Sequence, residues 1–260
     1  VPRNPRPDSR TPEFHDVDKI CGLSAVAAVF RRDPGRVLRL YYSDRMKGSA
    51  GGFCATLAAQ RRPYRMVPEP ELERVAGTVL HGGIVAAATP RLVLPLNPDD
   101  LARWSAAGEA LVILDGIGNP HNLGAIARTL AFFGLPRMVL SDHSAQAGLS
   151  DAAYRVAEGG LEYLELYSAS RLPELLKSMR PLYRVVATAA EHGADVGMLS
   201  SPGKPICLLL GNEEHGLLKA TLRACEHTVT IAGAGQVQSL NVSATAAILV
   251  AAIAAGKGRR

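Results

Sequence analysis

The side chains with chemistry to offer are gathered in three stretches of this 260-residue sequence. In VILDGIGNPHNLGAIARTLAFFG (112–134), a Gly-rich turn separates an apolar run from a helical pattern that carries Asn122 and Arg128. A turn of that kind at a helix start presents unpaired N–H groups and the positive end of the helix dipole, which suits anions and nucleotides. In CLLLGNEEHGL (207–217), an apolar run opens directly onto Gly211, Asn212, Glu213, Glu214 and His215. Acids at the carboxyl end of a buried strand lie where open α/β sheets bind ligands. In GAGQVQSLNVSATAAILVAAIAAG (233–256), Ser239, Asn241 and Ser243 abut the most apolar segment of the chain.

Each group also has a plain structural reading. Asn122 can cap a helix, Glu213 and Glu214 can cap one starting near Leu217, and Ser243 is the favoured cap of the closing helix. Asn241 is open to either role. Arg128 sits in an otherwise apolar helix and needs water, a carboxylate or a phosphate; a ligand role is favoured over a structural ion pair. Neither glycine cluster completes a dinucleotide fingerprint. Pro120 and His121 follow Gly116-Ile-Gly118, and Gln238 stands where the third glycine of the later cluster belongs. Asp142, after the next strand, keeps an NAD-dependent oxidoreductase open as a lesser alternative. His215 has no partners at ligand spacing and the four cysteines form no CxxC pair, so no metal site is expected.

The elements that must position these residues alternate. Helices are predicted over 22–31, 52–60, 71–75, 122–133, 151–158, 170–179, 217–225 and from 242 onward. Strands are predicted over 37–42, 64–67, 84–88, 111–115, 137–142, 161–167, 183–188, 206–211 and 228–232. Such alternation means α/β with a largely parallel sheet. Residues 1–16, rich in Pro and Arg, read as a flexible basic arm. Pro90, Pro95 and Pro98 argue for a linker. The domain reading is an arm (1–16), a first domain (17–92), a linker (93–108) and a second domain (109–258).

Charge is unevenly divided: +6 over residues 1–95 against −1 over the remainder. On charge alone the first part is expected either to meet a polyanion or simply to keep the protein soluble. The longest apolar run, 244–255, is too short to span a bilayer, so no membrane partner is expected. Scattered cysteines favour a reducing, cytoplasmic setting. Because the sequence begins at Val1, processing or truncation is expected and any leader is out of view.

Together the three stretches closely resemble the motifs of the SpoU/TrmH family of RNA ribose 2′-O-methyltransferases, in the SPOUT superfamily. N-x-G-x-x-x-R-T with a trailing F-G is met by Asn122, Gly124, Arg128, Thr129, Phe133 and Gly134; G-N-E-x-x-G-L by Gly211, Asn212, Glu213, Gly216 and Leu217; S-L-N-V-S by Ser239 to Ser243. HGGIVA (81–86) resembles the H-Q-G-V-V-A of the substrate-binding domain that precedes many members' catalytic domain. The resemblance implies a C-terminal α/β-knot (trefoil knot) domain and a smaller N-terminal α/β domain of ribosomal-protein-like, RNA-binding fold. It implies S-adenosylmethionine as cofactor, RNA (rRNA or tRNA) as partner, and a homodimer whose active sites are finished by the neighbouring subunit. By position it assigns catalysis to Arg128, Asn122, Glu213, Ser239 and Asn241. Cofactor binding falls to Thr188, Ala189, Leu210, Gly211, Asn212, Ile231, Ala232, Ser239 and Leu240.

Two departures stand out. The family's third motif usually opens I-P-M-x-G, where this chain has Ile231-Ala232-Gly233-Ala234-Gly235. Loss of the proline and methionine loosens the loop and removes apolar contact with the cofactor. Ala157-Glu158-Gly159-Gly160 stands where the family prefers small residues such as S-A-G-A. The rival reading is a knotted RNA-binding protein without methyltransferase activity.

Overall fold

A computed structural model describes residues 17–257. The basic arm expected over 1–16 lies outside the described residues. The first domain runs β1 (Asp18–Cys21), α1 (Leu23–Arg32), β2 (Val37–Tyr42), α2 (Lys47–Ala59), β3 (Tyr64–Met66), α3 (Glu69–Ala76) and β4 (Ile84–Ala88). Its four-stranded sheet has the order β1-β4-β2-β3, with β4 antiparallel to both neighbours and β3 parallel to β2. Strand β1 was not expected. Its four residues carry two charges and no clear alternation, and it forms because β4 offers it an edge.

The second domain is built on seven parallel strands in the order β11-β9-β10-β6-β7-β8-β5. These are β5 (Leu94–Pro95), β6 (Leu111–Asp115), β7 (Arg137–Ser141), β8 (Glu165–Ala169), β9 (Arg184–Thr188), β10 (Ile206–Gly211) and β11 (His227–Val229). The central strands β6 and β10 are buried at every position, as a parallel sheet covered on both faces requires. Helices α4 (Pro98–Ala106), α5 (Pro120–Phe132), α6 (Asp151–Ala157), α7 (Leu172–Met179), α8 (Lys219–Ala224) and α9 (Val242–Lys257) provide the cover.

Two expectations are corrected. The segment expected to be a linker is ordered structure: Leu94–Pro95 pair with β8 at the sheet edge, and α4 buries Leu101 and Trp104 in the core. Pro98 reads as a breaker in sequence, yet it occupies the first helical turn, where its missing N–H costs nothing, and Asn97 caps the helix by accepting from Asp99 N–H. The strand expected over 161–167 begins later. Gly160–Tyr163 form a 3-10 turn, and pairing with β7 starts at Glu165.

The domains share one core. Ile20, Ala25, Val26 and Val29 of the first join Ala153, Tyr154, Ala157 and Leu161 of the second. A charged network rims this contact. Glu162 accepts from Arg36 (2.7 Å) and Arg91 (3.0 Å), while Asp18 accepts from Arg36 (2.8 Å) and the Tyr154 hydroxyl (2.6 Å). Burial, and then the Asp18 charge, push the Tyr154 hydroxyl well above the usual phenol range.

Candidate active site

Strands β6 and β10 are paired in register, Leu111 beside Cys207 and Asp115 beside Gly211, so the turns that follow them emerge side by side. After β6, Gly116 takes a left-handed φ of 79° that carries the chain away from the sheet. The Gly116 and Ile117 N–H groups then donate to Gln146 Oε1. After β10, the Asn212 amide donates to the Gly116 carbonyl at 2.7 Å and its oxygen accepts from the Glu214 and His215 N–H groups. A Cβ on Gly211 would lie 2.7 Å from the Gly216 and Leu217 backbone, so only glycine permits this closure.

A ladder of side chains ties the three stretches together. Asn241 Nδ2 donates to Asn122 Oδ1 at 3.2 Å, and Asn122 Nδ2 donates to Glu213 Oε1 at 2.8 Å. Glu213 Oε2 accepts from the Gly118 N–H at 3.3 Å. Asn241 Oδ1 accepts from the Ser243 N–H (2.8 Å) and hydroxyl (2.6 Å), which caps α9. Polar residues therefore meet the apolar helix because its exposed first turn needs an acceptor.

Several structural roles differ from the sequence reading. Asn241, not Ser243, is the cap of α9, and Ser243 is a donor to it. Asn119 caps α5 by accepting from His121 N–H, which frees the buried Asn122 for the ladder. Helix α8 starts at Lys219 with no side-chain cap, so Glu213 and Glu214 do not cap it. Arg128 is not buried. Its side chain is 56% exposed and pairs with Glu158 at 2.9 Å, not with Glu213. Six residues separate it from Asn122, about 9 Å along the helix and about 240° around it.

The ladder borders a cavity of about 530 Å³ at the carboxyl ends of the strands. Of the residues assigned to the cofactor, Thr188, Ala189, Gly211, Asn212, Ile231, Ser239 and Leu240 line it, with Glu213 and Asn241 beside them. Leu210 and Ala232 are not among its lining residues; Leu210 is buried inside the sheet. Sequence reasoning missed an apolar wall of Leu217, Leu222, Val229, Val242 and Leu249, and missed Thr245. Leu217 and Val242 carried a signal, as members of their motifs; the others come from separate elements with no local pattern. Among the described residues no lysine or arginine lines the cavity, whereas Glu213 and Glu214 do. That lining disfavours a pyrophosphate and favours a cation. An apolar wall for a purine and carboxylates near a sulfonium and ammonium fit S-adenosylmethionine, not NAD.

Comparison with known proteins agrees. Residues 109–251 match the model of the SpoU rRNA methylase family, and residues 19–92 match that of the RNA 2′-O ribose methyltransferase substrate-binding domain. The chain belongs to the SpoU rRNA methylase family. SpoU proteins are RNA ribose 2′-O-methyltransferases whose methyl donor is S-adenosylmethionine. Among relatives, the chain is 31% identical to the Ralstonia nicotianae 23S rRNA (guanosine-2′-O-)-methyltransferase RlmB over 233 residues, 88% of this chain and 92% of that protein. It is 30% identical to the Escherichia coli O157:H7 protein named uncharacterized tRNA/rRNA methyltransferase YfiF, over 89% of this chain but 66% of YfiF. The AdoMet-bound rRNA methyltransferase from Sinorhizobium meliloti shares the fold, with a TM-score of 0.72 at 21% identity, over 94% of this chain and 88% of that one. The second domain is thus a SPOUT-type α/β fold preceded by a SpoU-type substrate-binding domain.

Proposed function

We propose that this SpoU member methylates a ribose 2′-hydroxyl of ribosomal RNA, with two copies of the chain forming each working site. The observation that carries the reading is the Asn241–Asn122–Glu213 ladder at the rim of a cavity whose lining, among the described residues, has no lysine or arginine. S-adenosylmethionine, when bound there, supplies a methyl carbon attached to a positively charged sulfur. Thr188, Ala189, Gly211 and Ile231 would hold it, with Leu217, Leu222 and Leu249 offering it apolar contact.

The chain's part in the transfer is orientation and charge. The chain's own residues would orient the ribose 2′-oxygen toward the methyl group that the bound cofactor would supply, and would leave the hydroxyl proton a path to solvent. Asn122, held by its two partners, keeps Glu213 and Asn241 in fixed positions, and Ser239 and Asn241 face the ribose. Arg128 acts on the adjacent phosphate, where a guanidinium lowers the cost of forming the alkoxide. A guanidinium pKa above ~12 makes it a poor base. Arg128 pairs with Glu158 and is not among the residues that line its own chain's cavity, and a second copy is the source of the arginine that the described lining lacks. Exposed apolar residues favour that copy: Phe132 on α5 is 82% exposed, and Ala244, Ile248 and Ala255 form one exposed stripe on α9.

Substrate choice rests on the +6 first domain and on the relatives' names. Cytoplasmic residence, with its RNA, and a knotted C-terminal segment belong to the same proposal. Among the described residues no helix is long and apolar enough to cross a membrane. The test is tritiated-methyl transfer from S-adenosylmethionine to ribosomal RNA, followed by mapping of the modified ribose. Transfer to a single ribose is expected. Tight RNA binding with no cofactor binding would leave the non-enzymatic reading instead. Sedimentation equilibrium at micromolar protein checks assembly, and a fully active 27.5 kDa species would exclude the dimer.

A further inference from the structure

The turn after α6 is wedged between the two domains at the backbone of Arg128. Glu158 ends α6 with φ 45° and ψ 42°, a left-handed conformation that costs a glutamate and suits glycine. Gly159 follows at φ 89°, and a Cβ there would lie 2.6 Å from Ala28 Cβ of α1 in the first domain. A Cβ on Gly160 would lie 2.8 Å from Arg128 Cα in α5. Glu162, two residues on, is 1% exposed and anchored by Arg36 and Arg91 of the first domain's side. The turn therefore has no slack.

Glycine is the natural residue at position 158, yet the chain has a glutamate whose side chain meets Arg128 Nη1 at 2.9 Å. Both side chains are about half exposed, 56% and 52%, so the pair adds little to stability. A conformational cost without a stability return points to function. Glu158 meets the guanidinium as an ion pair at Nη1, and among the described residues the Arg128 side chain donates no hydrogen bond, so its five N–H groups remain for a ligand. Holding one edge removes rotamer freedom that a long side chain would otherwise lose on meeting a phosphate.

We propose that Glu158 is a positioning residue for Arg128: it fixes one edge of the guanidinium and presents the rest to the RNA phosphate. The first domain, packed on Gly159 and Glu162, holds that turn in place. The substrate-binding domain thereby shapes the active site as well as recruiting RNA. This inference rests on Arg128 acting on RNA as proposed above.

The experiment uses the full chain and its Glu158→Gly, Glu158→Gln, Arg128→Ala and Glu158→Gly/Arg128→Ala variants. The readouts are kcat and KM for RNA, S-adenosylmethionine affinity by calorimetry, and the urea midpoint. Glu158→Gly is expected to keep or raise the urea midpoint and leave cofactor affinity unchanged while kcat/KM for RNA falls about tenfold. Glu158→Gln, which keeps the acceptor and loses the charge, is expected to fall between that variant and wild type. In the Arg128→Ala background Glu158→Gly is expected to cost nothing further. Wild-type kcat/KM in Glu158→Gly, with Arg128→Ala inactive, overturns the positioning role alone. A parallel fall of urea midpoint and turnover makes Glu158 structural and also overturns it. Full turnover in Arg128→Ala overturns the role of Arg128 itself, and this inference with it.

Discussion

Asn241 does two jobs with two ends of one amide, and substitution can separate them. Its oxygen caps α9 through the Ser243 N–H and hydroxyl, and its Nδ2 supports Asn122. Asn241→Ala removes both. Loss of a cap costs about 1 kcal/mol. Leaving the buried Asn122 oxygen without its donor costs about 1–3 kcal/mol more. The sum, about 2–4 kcal/mol, lowers the melting temperature of a chain this size by roughly 5–15 °C. Asn241→Ser keeps a competent cap and loses only the amide donor, so about 1 kcal/mol of stability should return relative to alanine. Activity should not return with it. Without the donor, Asn122 and Glu213 are free to shift, and misplacement of about 1 Å costs on the order of 10²-fold in turnover. The assay pairs urea denaturation of both variants with methyl transfer to ribosomal RNA. Equal stabilities for the serine and alanine variants would refute the cap. Near wild-type turnover in the serine variant would refute the ladder as catalytic support.

Other consequences follow from burial and charge. Arg36→Met leaves Glu162, 1% exposed, with one cation instead of two, and should cost about 3 kcal/mol in urea denaturation; no change would show that the interdomain network is slack. Burial raises the Cys21 thiol to about 11 and the Cys225 thiol to about 12, from 9.0. The unfolded chain therefore releases these protons first, so stability is full below pH ~9 and falls as pH rises beyond it; equal urea midpoints near pH ~8 and pH ~10.5 would contradict this. Replacing the first domain's exposed Lys47 and Arg61 with alanine should weaken RNA binding and flatten its salt dependence by about 0.7 per lost phosphate contact. An unchanged salt slope would move the RNA surface elsewhere.

Much of the catalytic domain was legible in the chain itself. Leu111–Asp115 and Ile206–Gly211 are short apolar runs closed by turn residues, and both are strands with the expected bounds. Gly116 and Gly211 marked the turns because one takes a left-handed φ that favours glycine and the other leaves no room for a Cβ. The three motifs carried the family because each packs several required residues into a few consecutive positions. Harder to read were features that depend on a partner distant in sequence. Strand β1 exists because β4 is beside it, and α4 because Leu101 and Trp104 find Tyr167 and Val139 in the core. Asn122 and Asn241 were both candidate caps, and only the fold showed that one caps while the other braces Glu213 from 91 residues away. The partner of Arg128 was likewise undecided until α6 brought Glu158 to it. Local order follows from periodicity and turn chemistry, which a sequence displays. Which polar group meets which is set by sheet register and helix packing, and those exist only once the chain has closed on itself.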